Sequence, residues 1–303
     1  MQPLFINPSE ARLRTGWRIL LFIILFWTLS ATALIIKPLL GEITKKEYVQ
    51  DYSLIIVSVL AISTTIAVFL GRKFLDKKTL LSLGLQFNRT AVKDLGVGFL
   101  LSGLMGLTFF TILLVFGLIQ FHGINFNLYP EQEFTTDFIS FMSTISLGSL
   151  SLILLENILV GYWEEVVFRG YLLQNFAEGM GWVPAIVLSC IIYGLLHAAN
   201  PNAGLLSTVI IMGFGFLRIY GYLTTKMLWL SMGMHIGWNF FQGPVFGFTA
   251  SGHEKPRISE ITFTSDKSWL TGGEFGPEGS VIIIPILIFT LYIMKLYTKN
   301  RHC

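Results

Sequence analysis

The chain has 303 residues, 53% of them hydrophobic and only 13% charged, with a formal net charge of +3. A soluble domain usually carries about 25% charged residues, so the composition argues against a soluble enzyme or binding module. The small positive charge, split between loops, gives no sign of a nucleic-acid partner. Several apolar runs reach the ~20 residues that a bilayer-spanning helix needs, which predicts an all-α polytopic membrane bundle of about eight transmembrane helices. No internal repeat or separate soluble domain stands out, so residues 1–303 read as one integral membrane domain.

The first apolar run, Trp17–Ile36, follows a tail with Arg12, Arg14 and Arg18 and shows no small-residue cleavage site after it, so it reads as a retained first span. Span two is Ser53–Leu70, followed by a segment with Arg72, Lys73, Lys77, Lys78, Arg89 and Lys93. Span three is Val97–Leu118. The connection after it, Gln120–Phe141, has no Lys or Arg and carries Glu131, Glu133 and Asp137. Span four runs from Leu147 through Glu164 to Leu172, and span five is Val183–His197, closed by the turn signal Asn200-Pro201-Asn202. Span six is Leu205–Tyr222 and span seven Met227–Phe246. Thr249–Gly279 reads as a polar loop before span eight, Ser280–Tyr297. The N-tail, the 72–93 segment, the Arg218–Lys226 turn and the C-tail hold most of the basic residues, which predicts that both termini are cytoplasmic. Lys45, Lys46, Lys255, Arg257 and Lys267 fall on the other side. Cys190 and Cys303 are far apart and support neither a disulfide framework nor a cysteine zinc site.

Ionisable groups inside a span cost at least ~2.5–3.5 kcal/mol each on insertion scales, so they mark work to be done. Span four carries Glu164-Glu165-Val166-Val167-Phe168-Arg169. On a helix, Glu165 and Arg169 are four apart and can pair, leaving Glu164, rotated ~100° away, to face something else. Span five offers Tyr193 and His197 on one face, and span seven offers His235 and Asn239 at the same spacing. Taken singly, each pair reads equally well as a helix–helix hydrogen bond or a structural clamp. Three pairs in one half of the chain argue for a shared site. Glu156 is a further polar intrusion with no role assigned. His122, His253 and His302 lie in polar segments and are given none.

The three motifs in this order, Glu164-Glu165-x-x-x-Arg169, Tyr193-x-x-x-His197 and His235-x-x-x-Asn239, resemble the CAAX protease and bacteriocin-processing (CPBP, or Abi) family. Its eukaryotic relatives are the type II prenyl-protein endopeptidases. Arg14-Thr15-Gly16-Trp17-Arg18 is similar to the opening of bacterial members, which implies a bacterial cell membrane. The motif resemblance covers Leu147–Phe240, and the catalytic core is expected in residues 147–247. It implies an intramembrane endopeptidase acting on a membrane-bound peptide or protein, with the lipid bilayer as its other partner. Glu164, assisted by His197, would activate water. His235 and Asn239 would donate hydrogen bonds to the tetrahedral oxyanion. Glu165 and Arg169 would hold the helix in place, and Tyr193 is supporting; the family's aromatic there is often Phe.

No cofactor is expected. The family is also described as metalloproteases, and Glu164, His197 and His235 would then be the zinc ligands, although the chain lacks the His-Glu-x-x-His helix. Two other classes stay open. Intramembrane Glu and His also build proton relays in transporters, but these come with broken helices and inverted repeats. A non-catalytic membrane scaffold or immunity protein would use the same residues for packing alone. Depth poses a problem: at 1.5 Å per residue Glu164 and His235 lie ~12 Å from the cytoplasmic side, and His197 ~21 Å.

Overall fold

The structure is a computed structural model and describes residues 4–7, 10–44, 51–125 and 146–301. Glu131, Glu133 and Asp137 of the acidic connection, Lys45, Lys46, His302 and Cys303 lie outside the described residues. Helices α1 (Thr15–Thr44), α2 (Asp51–Leu70), α3 (Arg89–Val115), α4 (Ser146–Glu165), α5 (Leu173–Met180), α6 (Trp182–His197), α7 (Leu205–Thr225), α8 (Trp229–Phe240) and α9 (Ile283–Thr298) make an all-α bundle. Each of the eight predicted segments is helical. Among the described residues, Thr15–Ala33, Ser53–Leu75, Arg89–Val115 and Leu205–Thr225 are long and apolar enough to cross a membrane. Trp182–His197 and Ile283–Thr298 are shorter apolar helices.

Span four does not end at Leu172. A wide π turn, Val166–Leu172, follows α4 and leads directly into α5, which stops at Gly181 (φ 83°). π turns of this kind sit frequently at functional sites. A second one, Phe241–Val245 with Pro244 inside it, extends the short helix α8.

Helix α8 is the centre of the bundle. Every residue from Leu230 to Trp238 is buried, and α3, α4 and α7 pack around it. The sequence explains the fit. Gly233 and Gly237 are one turn apart and rest on the backbone of α3. A methyl added at Gly237 would come within 2.6 Å of the Phe99 carbonyl oxygen, and one at Gly233 would overlap the Leu95 carbonyl. Small residues at this spacing let membrane helices approach closely. His235 and Asn239 are two residues further on, ~200° around the helix, so they point away from α3.

A buried ionic cluster ties the N-terminal half together. Arg18 of α1 donates to Asp76 at 2.9 Å and to Glu178 of α5 at 3.1 Å, while Arg72 donates to Asp76 at 2.8 Å. Arg12, in the two-residue strand β2 (Arg12–Leu13) that pairs with β1 (Ile6–Asn7), reaches both Glu178 and the Asp76 carbonyl. Lys78 also donates to Glu178, so this carboxylate is held by three basic side chains. At the C-terminus Arg301 and Tyr297 both bond Asp94 near the start of α3 at 2.7 Å. The Gly84 carbonyl meets the Leu228 amide. These contacts gather the N-tail, the 71–94 segment, the Lys226 turn and the C-tail on one face.

One correction and one added contact come from the opposite face. The segments read as loops contain strand β3 (Ile119–Ile124) and strand β4 (Ser259–Phe263), which pair antiparallel with Ile119 opposite Phe263 and Phe121 opposite Ile261. Glu156 also finds a partner there, since Lys255 donates to it at 2.6 Å.

Candidate active site

The site forms where α4 meets α6, α7 and α8. Glu165 is the last residue of α4 and its side chain is completely buried, while Glu164 keeps 12% exposure. Arg169, in the π turn, donates to Glu165 Oε1 at 3.0 Å, the pairing that the four-residue spacing predicts. Ser231 donates to Glu165 Oε2 at 2.5 Å, and His235 Nδ1 donates to Oε1 at 2.9 Å. Glu165 is thus saturated and joins α4 to α8.

Glu164 faces a different set. The Tyr193 hydroxyl of α6 donates to its Oε2 at 3.0 Å, and His235 Nε2 stands 3.8 Å from the same oxygen. His235 therefore spans both carboxylates. Its Nδ1 proton is committed to Glu165, so the neutral ring presents a lone pair at Nε2 and donates there only as the imidazolium. His197 is anchored in a similar way. Its Nδ1 donates to the Tyr193 carbonyl at 2.9 Å, its ring lies 4.4 Å from the Tyr193 ring, and its Nε2 has no hydrogen bond among the described residues.

Of the residues singled out by sequence, Glu164, Glu165, Arg169, Tyr193 and His235 come into one contact network. His197 joins it through Tyr193, one turn along α6, without touching Glu164. The group of α6 that meets the carboxylate is thus the Tyr193 hydroxyl, one turn before His197. Asn239 lies one turn from His235, half-buried, and its amide makes no hydrogen bond among the described residues.

Two site residues escaped the sequence reading. Arg218, counted there as a cytoplasmic loop cation, is 3% exposed inside α7. It donates to the Tyr193 hydroxyl at 2.6 Å and stands 3.6 Å from Glu165. The signal was present as a lone arginine within an apolar helix, which needs a partner in the bundle interior. Ser231 precedes His235 by four residues, so Ser231, His235 and Asn239 form one polar stripe. Beside this cluster, Glu278 is buried in the segment before α9. It accepts from Trp238 of α8 and from Ser251, holding the loop against the site helix.

Among the described residues no three His, Cys, Asp or Glu side chains form a group able to hold a metal ion. Glu164 and His235 approach each other, but His197 is a turn away. Among the described residues the three do not come together as the zinc set the resemblance allows.

The fold and this cluster define a polytopic membrane protein with paired carboxylates, histidines and an open amide in its interior. Residues 146–241 match the family described as type II CAAX prenyl endopeptidase Rce1-like. The matched segment contains all three motifs, so the likeness falls on the residues that build this cluster. No curated protein matches the chain.

Proposed function

We propose that this protein is an intramembrane endopeptidase that hydrolyses a peptide bond of a membrane-associated protein or peptide, with Glu164 as general base. The match of residues 146–241 to the type II CAAX prenyl endopeptidase model supports a CAAX-type membrane protease. The observation that carries the finer reading is the division of labour between the glutamates. Glu165 is saturated by three side-chain donors and sealed, whereas Glu164 has 12% exposure and, among the described residues, one hydrogen-bond donor, with none at its Oε1.

The chemistry follows from these positions. A water held at Glu164 Oε1 attacks the scissile carbonyl carbon while its proton passes to the carboxylate. His197 Nε2 assists in holding that water. The carbonyl oxygen becomes an oxyanion and accepts from the Asn239 amide, while His235, its Nδ1 proton committed to Glu165, holds α8 and this asparagine beside Glu164. Collapse breaks the C–N bond, and the proton on Glu164 goes to the departing amine. Asn239 is an amide donor and a poor metal ligand, which suits an oxyanion site.

Asn239→Ala should lower kcat by roughly 10²–10³ with little change in KM, as when one oxyanion donor is lost. The assay is cleavage of a fluorogenic farnesylated Cys-a-a-X peptide by the full-length protein in proteoliposomes. An unchanged kcat would remove Asn239 from the site. Stoichiometric zinc whose removal and return switch activity off and on would replace this mechanism with a metal one.

We also propose that the face gathering the N-tail, the 71–94 segment and the C-tail is cytoplasmic, from its excess of Lys and Arg. A cysteine placed at Lys78 should resist an impermeant reagent added to intact cells. Labelling from outside would invert the orientation.

A further inference from the structure

Tyr193 and Arg218 stand beside the carboxylates, and the mechanism above gives neither a part. The direction of their hydrogen bonds is fixed by chemistry. A guanidinium has no acceptor, so Arg218 must donate to the Tyr193 oxygen across the 2.6 Å contact. The hydroxyl has a single proton, and the acceptor within reach is Glu164 Oε2 at 3.0 Å. The chain therefore runs one way, from Arg218 through Tyr193 to Glu164.

The hydroxyl cannot swing aside. The Tyr193 ring is 2% exposed, with the Arg169 guanidinium 4.3 Å and the Arg218 guanidinium 5.1 Å from its centre. Phe168 packs edge-on at 5.2 Å. The charges also balance. Arg169 is paired with Glu165 at 3.0 Å, so Arg218, at 3.6 Å from Glu165, is the second cation set against the second carboxylate, and it reaches Glu164 through the hydroxyl. A buried charge without such compensation would be costly.

We propose that Arg218 and Tyr193 are positioning residues for the catalytic base: they commit Glu164 Oε2 to a fixed hydrogen bond and leave Oε1 as the oxygen that takes the proton from water. This rests on the reading of Glu164 as the base. A purely structural Arg218 would serve Glu165 alone, and the Tyr193 hydroxyl would then be dispensable.

The test uses Tyr193→Phe, which keeps the ring and its packing, and Arg218→Lys, which keeps the charge but not the fork. On the farnesylated Cys-a-a-X peptide in proteoliposomes, Tyr193→Phe should lower kcat roughly 10–100-fold, the loss of one hydrogen bond to a charged group. KM should stay within about twofold, because no contact to substrate is removed. The double variant should be no slower than Tyr193→Phe alone, since both changes break one chain. A second measurement needs no turnover. Infrared difference spectra of the full-length protein in detergent should show the Glu164 carboxylate band, assigned by its loss in Glu164→Gln, displaced by Tyr193→Phe and by Arg218→Lys. An unmoved band, a wild-type kcat in Tyr193→Phe, or losses that multiply in the double variant would each overturn the inference. Cleavage that survives Glu164→Gln would overturn the base assignment itself.

Discussion

Replacing Glu165 by alanine should abolish the yield of folded protein, and Arg169→Ala should do nearly the same. Glu165 is fully buried and accepts from Arg169, Ser231 and His235, so it joins α4, the π turn and α8 at one point. Removing it leaves the Arg169 and Arg218 charges facing each other across an emptied site. Breaking a buried pair from one side costs about 3–5 kcal/mol. That is a large share of the roughly 5–15 kcal/mol by which a domain is stable. The measurement is monodisperse yield after detergent extraction. Wild-type yield for either variant would mean that this pair is not what holds the bundle at the site.

Glu164→Gln should have the opposite profile: wild-type yield and no cleavage. Glutamine keeps the shape of the side chain, and its carbonyl still accepts from the Tyr193 hydroxyl, so the packing between α4 and α6 survives. What disappears is the proton acceptor. Loss of a positioned general base lowers turnover by roughly 10²–10⁴, and here the same group must also return the proton to the leaving amine. The farnesylated peptide assay and the detergent yield are read on the same preparation. If Glu164→Gln fails to fold while Glu165→Gln folds and is inactive, the roles of the two glutamates are exchanged.

The fold was legible in the sequence wherever hydrophobicity alone decides. Each apolar run became a helix, because in lipid a backbone must satisfy its own hydrogen bonds. The Glu165–Arg169 pair was legible for the same kind of reason, since four-residue spacing is local geometry. Legibility failed where a residue's meaning depends on a partner far along the chain. Arg218 sits near the end of an apolar run and looked like the start of a basic turn. Only the packing of α7 against α6 shows that it points at Tyr193. The pairing of β3 with β4 joins segments about 140 residues apart, and their alternation of Ile and Phe with polar residues is weak evidence beside the long apolar runs. The π turn after Glu165 left no composition signal, so span four was ended too early. Glu156 had no visible role because its partner, Lys255, is on the far side of the site helix in sequence.

The central claim is that the cluster around Glu164 cuts peptide bonds, and is not a set of packing contacts in a scaffold or immunity protein. Its most direct test is a comparison of newly formed peptide ends in membranes carrying either the wild-type protein or an equal amount of Glu164→Gln. The account predicts a set of ends from membrane-associated proteins or peptides that is present with the wild type and missing with the variant. Identical ends in the two membranes, with the biological effect of the protein intact in Glu164→Gln, would contradict it.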